Sequence, residues 1–301
     1  MGPHHRGNQI RQTQCQVVTV SAKTIVQSAD IPPIPGLLQQ ILSLADDPRT
    51  TSSQLEKLVA QEPSLAAKLL KWVNSAQYAL AKRVNSVGHA MVLLGFSTVK
   101  SVASGMILIN AFDDLHGVSK QVVSRIWEHT LLAANFTKIL TKREPISKQD
   151  DLFLAAMIHD VGHLVMYQYF SKKYEALAKT DFFPLAEDET KAFGVDHVQI
   201  SAELLEQWRF PEDVIYLVKA HHKPRSFPGP AKDIAYLIVC DKLSEQIDLA
   251  NFLKKKEEEI EQTLLDALKN IALNWKDLQD KTELFEGTKQ AVLKLFEGVS
   301  R

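Results

Sequence analysis

From Leu37 onward apolar residues return every three or four positions, and nowhere in the 301-residue chain do they alternate with polar ones over the length of a strand. That period lines one face of a helix and cannot line one face of a sheet. Leu37, Leu38, Ile41, Leu42 and Ala45 form the first stripe, which Asp46-Asp47-Pro48 closes. Thr51, Ser52 and Ser53 then offer side-chain oxygens to the free N–H groups of a second helix running to Ala60, and Pro63 opens a third at its first turn, where a missing N–H goes unnoticed. The same pattern predicts helices over 64–75, 87–94, 96–109, 122–140, 149–170, 197–207, 211–221 and 232–248, with amphipathic segments near 263–276 and 287–297. The expected fold class is all-α.

Two interruptions divide the chain. IPPIPG (31–36) stops regular structure, because each proline lacks an N–H and restricts the residue before it. Residues 1–30 before it read as a leader, extended or poorly ordered, in which His4 and His5 have no assigned role. FDDLHG (112–117) is polar and ends in glycine, which places a boundary there. Two helical subdomains are expected, 31–116 and 117–301, with loops at 143–148, 181–187 and 223–230. The run KKKEEEIEQ (254–262) reads as the solvated face of a helix with short-range ion pairs.

Thirty-five Lys and Arg stand against 36 Asp and Glu, a net charge of −1, so no global field draws in nucleic acid or an anionic membrane. The two cysteines, Cys15 and Cys240, are too few for a disulfide framework and fit a reducing compartment. No apolar run reaches the roughly 18 residues of a membrane span, and the first residues lack a signal-peptide core. The expected location is the cytoplasm.

Six of the ten histidines fall between 129 and 222: His129, His159, His163, His197, His221 and His222. His159 is followed by Asp160 inside LAAMIHDVGHLVM, apolar on nearly every side. A carboxylate buried there costs several kcal/mol unless a cation, a donor or a metal compensates it. A metal does so most fully. His163 lies four residues past His159 on the same helix face, within reach of the same ion or of a bound anion. Asp241 ends the apolar run DIAYLIVC and needs a partner for the same reason. Each residue also has a simpler reading: His129 as a hydrogen-bonded core residue, His221-His222 as the cationic end of a helix, and His197 as the first turn of a helix capped by Asp196. His89 and His116 lie outside the cluster.

The order His, His-Asp, His, His-His, Asp resembles the HD superfamily of metal-dependent phosphohydrolases, and more closely its HDOD branch, the HD-related output domain of bacterial signalling proteins. The resemblance runs from about residue 31 to at least Asp241. It is carried by EPSLAAKLLKWVNSA (62–76), NSVGHAMVLLGFSTVKSVA (85–103), HDVGH (159–163), FGVDHVQISAELLEQWRFP (193–211) and AHH (220–222). It implies an HD-like second subdomain in which His129, His159, Asp160 and Asp241 hold one divalent metal ion. His197, His221 and His222 would hold a second, with Asp160 as the bridge. The implied cofactor is one or two transition-metal ions, iron first, with manganese, zinc and nickel also suited to mixed imidazole and carboxylate donors.

The function implied is that of a signal-transduction or regulatory protein with a signalling protein partner or a nucleotide-like phosphate ligand. The alternative is a metal-dependent phosphohydrolase acting on a nucleotide or other phosphate ester, with Asp160 and His163 in catalytic roles. Two departures from the related HD-GYP phosphodiesterases stand out. His163 occupies the place of a lysine, which weakens phosphate grip near neutral pH. KPRSFPGPAKD follows His222 with no G-Y-P, so cyclic di-GMP hydrolysis of that type is unsupported. Lys223 and Arg225 in this loop are candidate contacts for an anionic ligand.

Overall fold

A computed structural model describes residues 20–44, 51–74, 83–113, 115–178, 183–222 and 231–296. Every regular element among the described residues is a helix and none is a strand, so the fold is all-α. The helices are α1 (Ala22–Ser28), α2 (Gly36–Ser43), α3 (Ser52–Ala60), α4 (Pro63–Val73), α5 (Val87–Leu94), α6 (Phe96–Phe112), α7 (Lys120–Leu140), α8 (Ile146–Ile158) and α9 (Val161–Phe170). They continue as α10 (Lys172–Ala178), α11 (Ala186–Phe193), α12 (His197–Gln207), α13 (Glu212–Ala220), α14 (Ala231–Ser244), α15 (Leu249–Leu253), α16 (Gln262–Asn270), α17 (Trp275–Gln279) and α18 (Thr282–Phe296). None is long and apolar enough to cross a membrane.

Local chemistry sets most of the boundaries. The side chains of Ser21, Ser86, Ser119 and Asp196 each accept a backbone N–H in the first turn of the helix that follows. Pro63 stands at the first position of α4, and Gly95, at φ 88°, turns the chain sharply between α5 and α6.

The 21-residue α7 is the axis of the second half, buried along most of its length and packed against α8, α14 and α18. On the other side of α8, α6 packs against it and also against α2, α4 and α5. One apolar core therefore runs through both halves. Trp72 of α4 meets Phe153 of α8 edge-on at 5.8 Å, and Phe112 of α6 meets Trp127 of α7 at 6.3 Å. A polar tie crosses the same junction: Asp150 of α8 accepts from Thr98 of α6 at 2.9 Å and from Lys138 of α7 at 2.5 Å. The remaining layer places α9 on α12, with α12 flanked by α13 and α1.

Several expectations need correction. The predicted helix over 149–170 is two helices, α8 and α9, broken at His159-Asp160. Residues 22–28, read as part of the leader, are helical, with Ile25 and Val26 buried. Helices α10 and α11 were not expected; their short amphipathic stripes are hidden among charged residues. The run 254–262 forms no α-helix before Gln262, only the exposed 3-10 turn Glu257–Glu259; its lysines precede its glutamates, the weaker order for i,i+4 pairs and the one opposed to the helix dipole.

Candidate metal centre

The break between α8 and α9 decides the geometry of the site. On a continuous helix, neighbouring residues diverge by about 100° and only one of His159 and Asp160 could face a common point. Here Asp160 leaves the helical conformation, at φ −102° and ψ 12°, and becomes the N-cap residue of α9. Both side chains then turn to one side, with the carboxylate at the positive end of the α9 dipole.

Four elements bring donors to this point. His129 comes from the middle of α7, Asp241 from α14, His197 from the first position of α12, and His221 and His222 directly follow α13. His129 Nε2 lies 3.2 Å from Asp160 Oδ2 and 3.1 Å from Asp241 Oδ1, and His159 Nε2 lies 3.4 Å and 3.2 Å from the same two oxygens. Asp160 Oδ1 faces the other way, 3.6 Å from both His197 Nε2 and His221 Nε2. The donors thus fall into two groups of four, His129, His159, Asp160 and Asp241 on one side, and Asp160, His197, His221 and His222 on the other, with His163, Glu189 and His197 as a third group of three. Within each group one atom per residue lies within 4.8 Å of all the others. All are buried except His222, which is half-buried.

The outer ring nitrogens are already committed. His159 Nδ1 donates to the Ala156 carbonyl at 2.8 Å and His221 Nδ1 to the Val218 carbonyl at 2.6 Å. His129 Nδ1 meets Ser244 Oγ at 3.0 Å, and His197 Nδ1 lies 2.6 Å from Glu189 Oε2. Such contacts fix the tautomer and leave Nε2 free to ligate.

The residues present fit a divalent ion. Asp160 Oδ1, His197 Nε2 and His221 Nε2 are buried and have no hydrogen-bond partner. Orphaned buried polar atoms are costly. Three of them converging, two imidazole nitrogens and one carboxylate oxygen, is the donor chemistry of a transition-metal site.

The electrostatics give the same picture. Burial alone would raise the Asp160 carboxyl, but the imidazoles of His159, His163, His129 and His221 around it hold it well below its ordinary value. Asp241 is likewise lowered, by His129 and His159 against the cost of burial. In return, and again against burial, contacts with Asp160 and Asp241 push His129 up to about 10. Burial and the neighbouring imidazoles lower His221 and His222, so these stay neutral.

His163 sits just outside both groups of four. Its Nε2 is 3.8 Å from Asp160 Oδ2, its ring stacks on His197 at 3.9 Å, and its Nδ1 meets the Tyr174 hydroxyl at 2.5 Å. Phe183 covers this side, its ring 4.7 Å from that of His129 and 5.6 Å from that of His163. On the far side a groove of about 510 Å³ reaches His222 between Asp196, Glu203 and Lys219. The candidates Lys223 and Arg225 lie outside the described residues.

Glu189 was missed by sequence reasoning. It is wholly buried and touches both His163 and His197. In AEDETKAF it is one acid among three, and only its place on the apolar stripe of α11, three residues after Ala186 and four before Phe193, could have marked it as inward-facing.

Comparison with known proteins places the chain. A family model described as the HDOD domain matches residues 31–224. An uncharacterized protein of Treponema pallidum (strain Nichols) is 26% identical over 231 residues, 74% of this chain; the chain spans 44% of that relative's length. Among solved structures, an HDOD domain protein of unknown function from Geobacter sulfurreducens superposes with a TM-score of 0.72 at 18% identity, covering 91% of this chain and 98% of that one. A Shewanella amazonensis SB2B protein provisionally named a phosphohydrolase gives 0.69 at 19% identity, covering 93% and 99%. A Marinobacter aquaeolei VT8 protein provisionally named for signal transduction gives 0.67 at 24% identity, covering 94% and 62%. At these identities the structures establish a common fold.

Proposed function

This chain belongs to the HDOD domain family, and we propose that it is a signal-transduction or regulatory protein whose HD-like half holds one or two divalent transition-metal ions. The observation that carries the metal site is the pair of four-donor groups meeting at Asp160, with three buried donor atoms otherwise unpartnered. His129, His159, Asp160 and Asp241 would hold one ion, and Asp160, His197, His221 and His222 the other. Imidazole and carboxylate together suit iron first, then manganese, zinc or nickel.

The regulatory reading rests on how closed the centre is. Six of the seven donor residues are buried and His222 is half-buried, and the Phe183 ring lies against the imidazoles of His129 and His163. The groove that does reach the centre is lined by three acids, Asp196, Glu203 and Glu206, against one lysine, Lys219, a net negative wall that disfavours a phosphate ester. An ion held this way ties together five segments of chain and biases the packing that a protein partner reads.

A second reading, metal-dependent hydrolysis of a nucleotide or other phosphate ester, is favoured by one feature, a single carboxylate shared between two donor groups. Ions bound there would supply Lewis acidity and an acidified water. Asp160 would then orient the reacting centre, and His163 would stand ready to exchange a proton at Nε2.

Turnover separates the two. Protein loaded with manganese or iron(II) is incubated with a panel of nucleotides and phosphate esters. The regulatory reading expects bound metal and no hydrolysis above the Asp160→Ala control; metal-dependent hydrolysis abolished by Asp160→Ala establishes the second reading instead.

A further inference from the structure

Glu189 is a carboxylate with no exposed surface that belongs to neither four-donor group but clusters with His163 and His197, one atom of each within 4.8 Å of the others. Burying a third anion in this region is expensive, and its contacts show where the cost is recovered. Glu189 Oε2 accepts the backbone N–H of His197 at 2.8 Å and the ring Nδ1–H of the same residue at 2.6 Å. Its other oxygen, Oε1, accepts the hydroxyl of Tyr174, and that hydroxyl oxygen lies 2.5 Å from His163 Nδ1. Burial and the Glu189 charge push the Tyr174 phenol well above its ordinary value, so it remains a donor, and the proton it shares goes to the carboxylate. The phenol oxygen is then an acceptor, and the hydrogen between it and His163 sits on Nδ1.

One carboxylate therefore orders two stacked imidazoles, rings 3.9 Å apart at an interplanar angle of 24°. Each has its N–H directed outward, and each presents Nε2 to Asp160, at 3.6 Å from His197 and 3.8 Å from His163. Among the ring nitrogens at this centre the arrangement is unusual. His159 and His221 are held by backbone carbonyls and His129 by a hydroxyl, all uncharged; the His197 partner is an anion. A carboxylate behind an imidazole raises its basicity as a ligand.

We infer that Glu189 is the positioning residue of this centre: directly for His197, and for His163 both directly at 3.4 Å and through Tyr174, it holds an Nδ1–H on each ring and turns each Nε2 toward Asp160. The inference builds on the metal reading for its consequence, stronger binding in the His197 group, but its geometric content stands apart from any ion. It also changes the expectation for His163, which in this tautomer offers an acceptor to the centre and cannot donate to a phosphate there.

The test uses the full chain in two measurements. In chelator competition with zinc(II), the isosteric Glu189→Gln variant is expected to lose about 10- to 100-fold in affinity at one ion while any other ion is unaffected. Tyr174→Phe, which leaves the Glu189–His197 contact intact, keeps wild-type affinity. Unchanged zinc affinity in a folded Glu189→Gln protein overturns the proposed consequence. The second measurement is long-range ¹⁵N–¹H NMR of the histidine rings in wild-type protein, which needs neither a variant nor an ion. His163 is expected as the Nδ1–H tautomer in wild type and in Tyr174→Phe, where Glu189 still faces Nδ1 at 3.4 Å; an Nε2–H tautomer in wild type overturns the inference even if zinc binds. If wild-type protein binds no zinc but shows the Nδ1–H tautomer, the metal reading fails and the positioning role stands.

Discussion

The glycine of HDVGH allows the two sides of the centre to meet, and its replacement by alanine has a consequence that can be worked from the structure. Gly162 lies in the first turn of α9, against the start of α12. A Cβ there would stand 2.1 Å from the His197 carbonyl oxygen, 2.7 Å from Ser201 Oγ and 2.9 Å from the His197 carbonyl carbon. Two of these atoms are backbone, so no rotamer change relieves the contact, and α9 and α12 must part by about 1 Å. Overpacking of this kind costs about 1–3 kcal/mol. Against it, alanine gains about 0.5–1 kcal/mol over glycine inside a helix. A rigid backbone wall puts the cost at the upper end, leaving Gly162→Ala about 2 kcal/mol less stable. In equilibrium urea unfolding that moves the midpoint down by roughly 0.5–1 M. Gly36→Ala, where nothing lies within 4 Å, is the control and is expected to match or exceed wild type. Wild-type stability in Gly162→Ala would refute the close α9–α12 approach on which the placement of His197 beside Asp160 depends.

Three further outcomes are expected. Ser201→Ala removes the hydroxyl that accepts the Gly162 N–H at 2.8 Å, and the orphaned buried donor should cost about 1–3 kcal/mol in the same urea assay. Metal-free protein should be most stable near pH 6.5. His129 and His197, raised to about 10 and about 9 by Asp160, Asp241 and Glu189 in spite of burial, contribute stability that is complete below the unfolded histidine value of 6.5 and lost as pH climbs through the folded values. His163, His221 and His222 are lowered by burial, so below 6.5 the unfolded chain takes up protons that the folded one refuses; thermal melts across pH 5–10 that rise steadily in either direction contradict this balance. Finally, saturating manganese at about 100 times its Kd should stabilise wild type by about 2.7 kcal/mol in urea unfolding and leave Asp160→Ala unmoved.

The helices of this protein were legible because their apolar stripes are strong: α5, and most of α7, α12 and α13, lie where the periodicity of Val87, Ile126, Leu204 and Val214 puts them. The break at His159-Asp160 was not legible, since LAAMIHDVGHLVM is apolar on nearly every side and its one glycine, Gly162, falls inside α9 rather than at the turn. What bends it is tertiary, the close packing of α9 on α12 and the pull of imidazoles from other helices on Asp160. The site itself was visible through an energetic anomaly, carboxylates and imidazoles in segments that otherwise bury everything apolar. His197 illustrates how two readings coexist: Asp196 does cap α12, with Gln199 completing the capping box, and the capped residue still delivers its ring to the centre. Glu189 escaped because a buried acid among exposed acids differs only in which way its helix faces.

Elemental analysis of full-length protein, purified without chelator and without a metal-affinity resin, tests the metal centre most directly. One or two transition-metal ions per chain are expected in wild type, with iron foremost, and Asp160→Ala should lose them while keeping its helical circular dichroism. A folded wild-type protein whose transition-metal content does not exceed the buffer blank, before and after incubation with iron(II), manganese or zinc, would contradict the account and leave the buried histidines as parts of a helical scaffold.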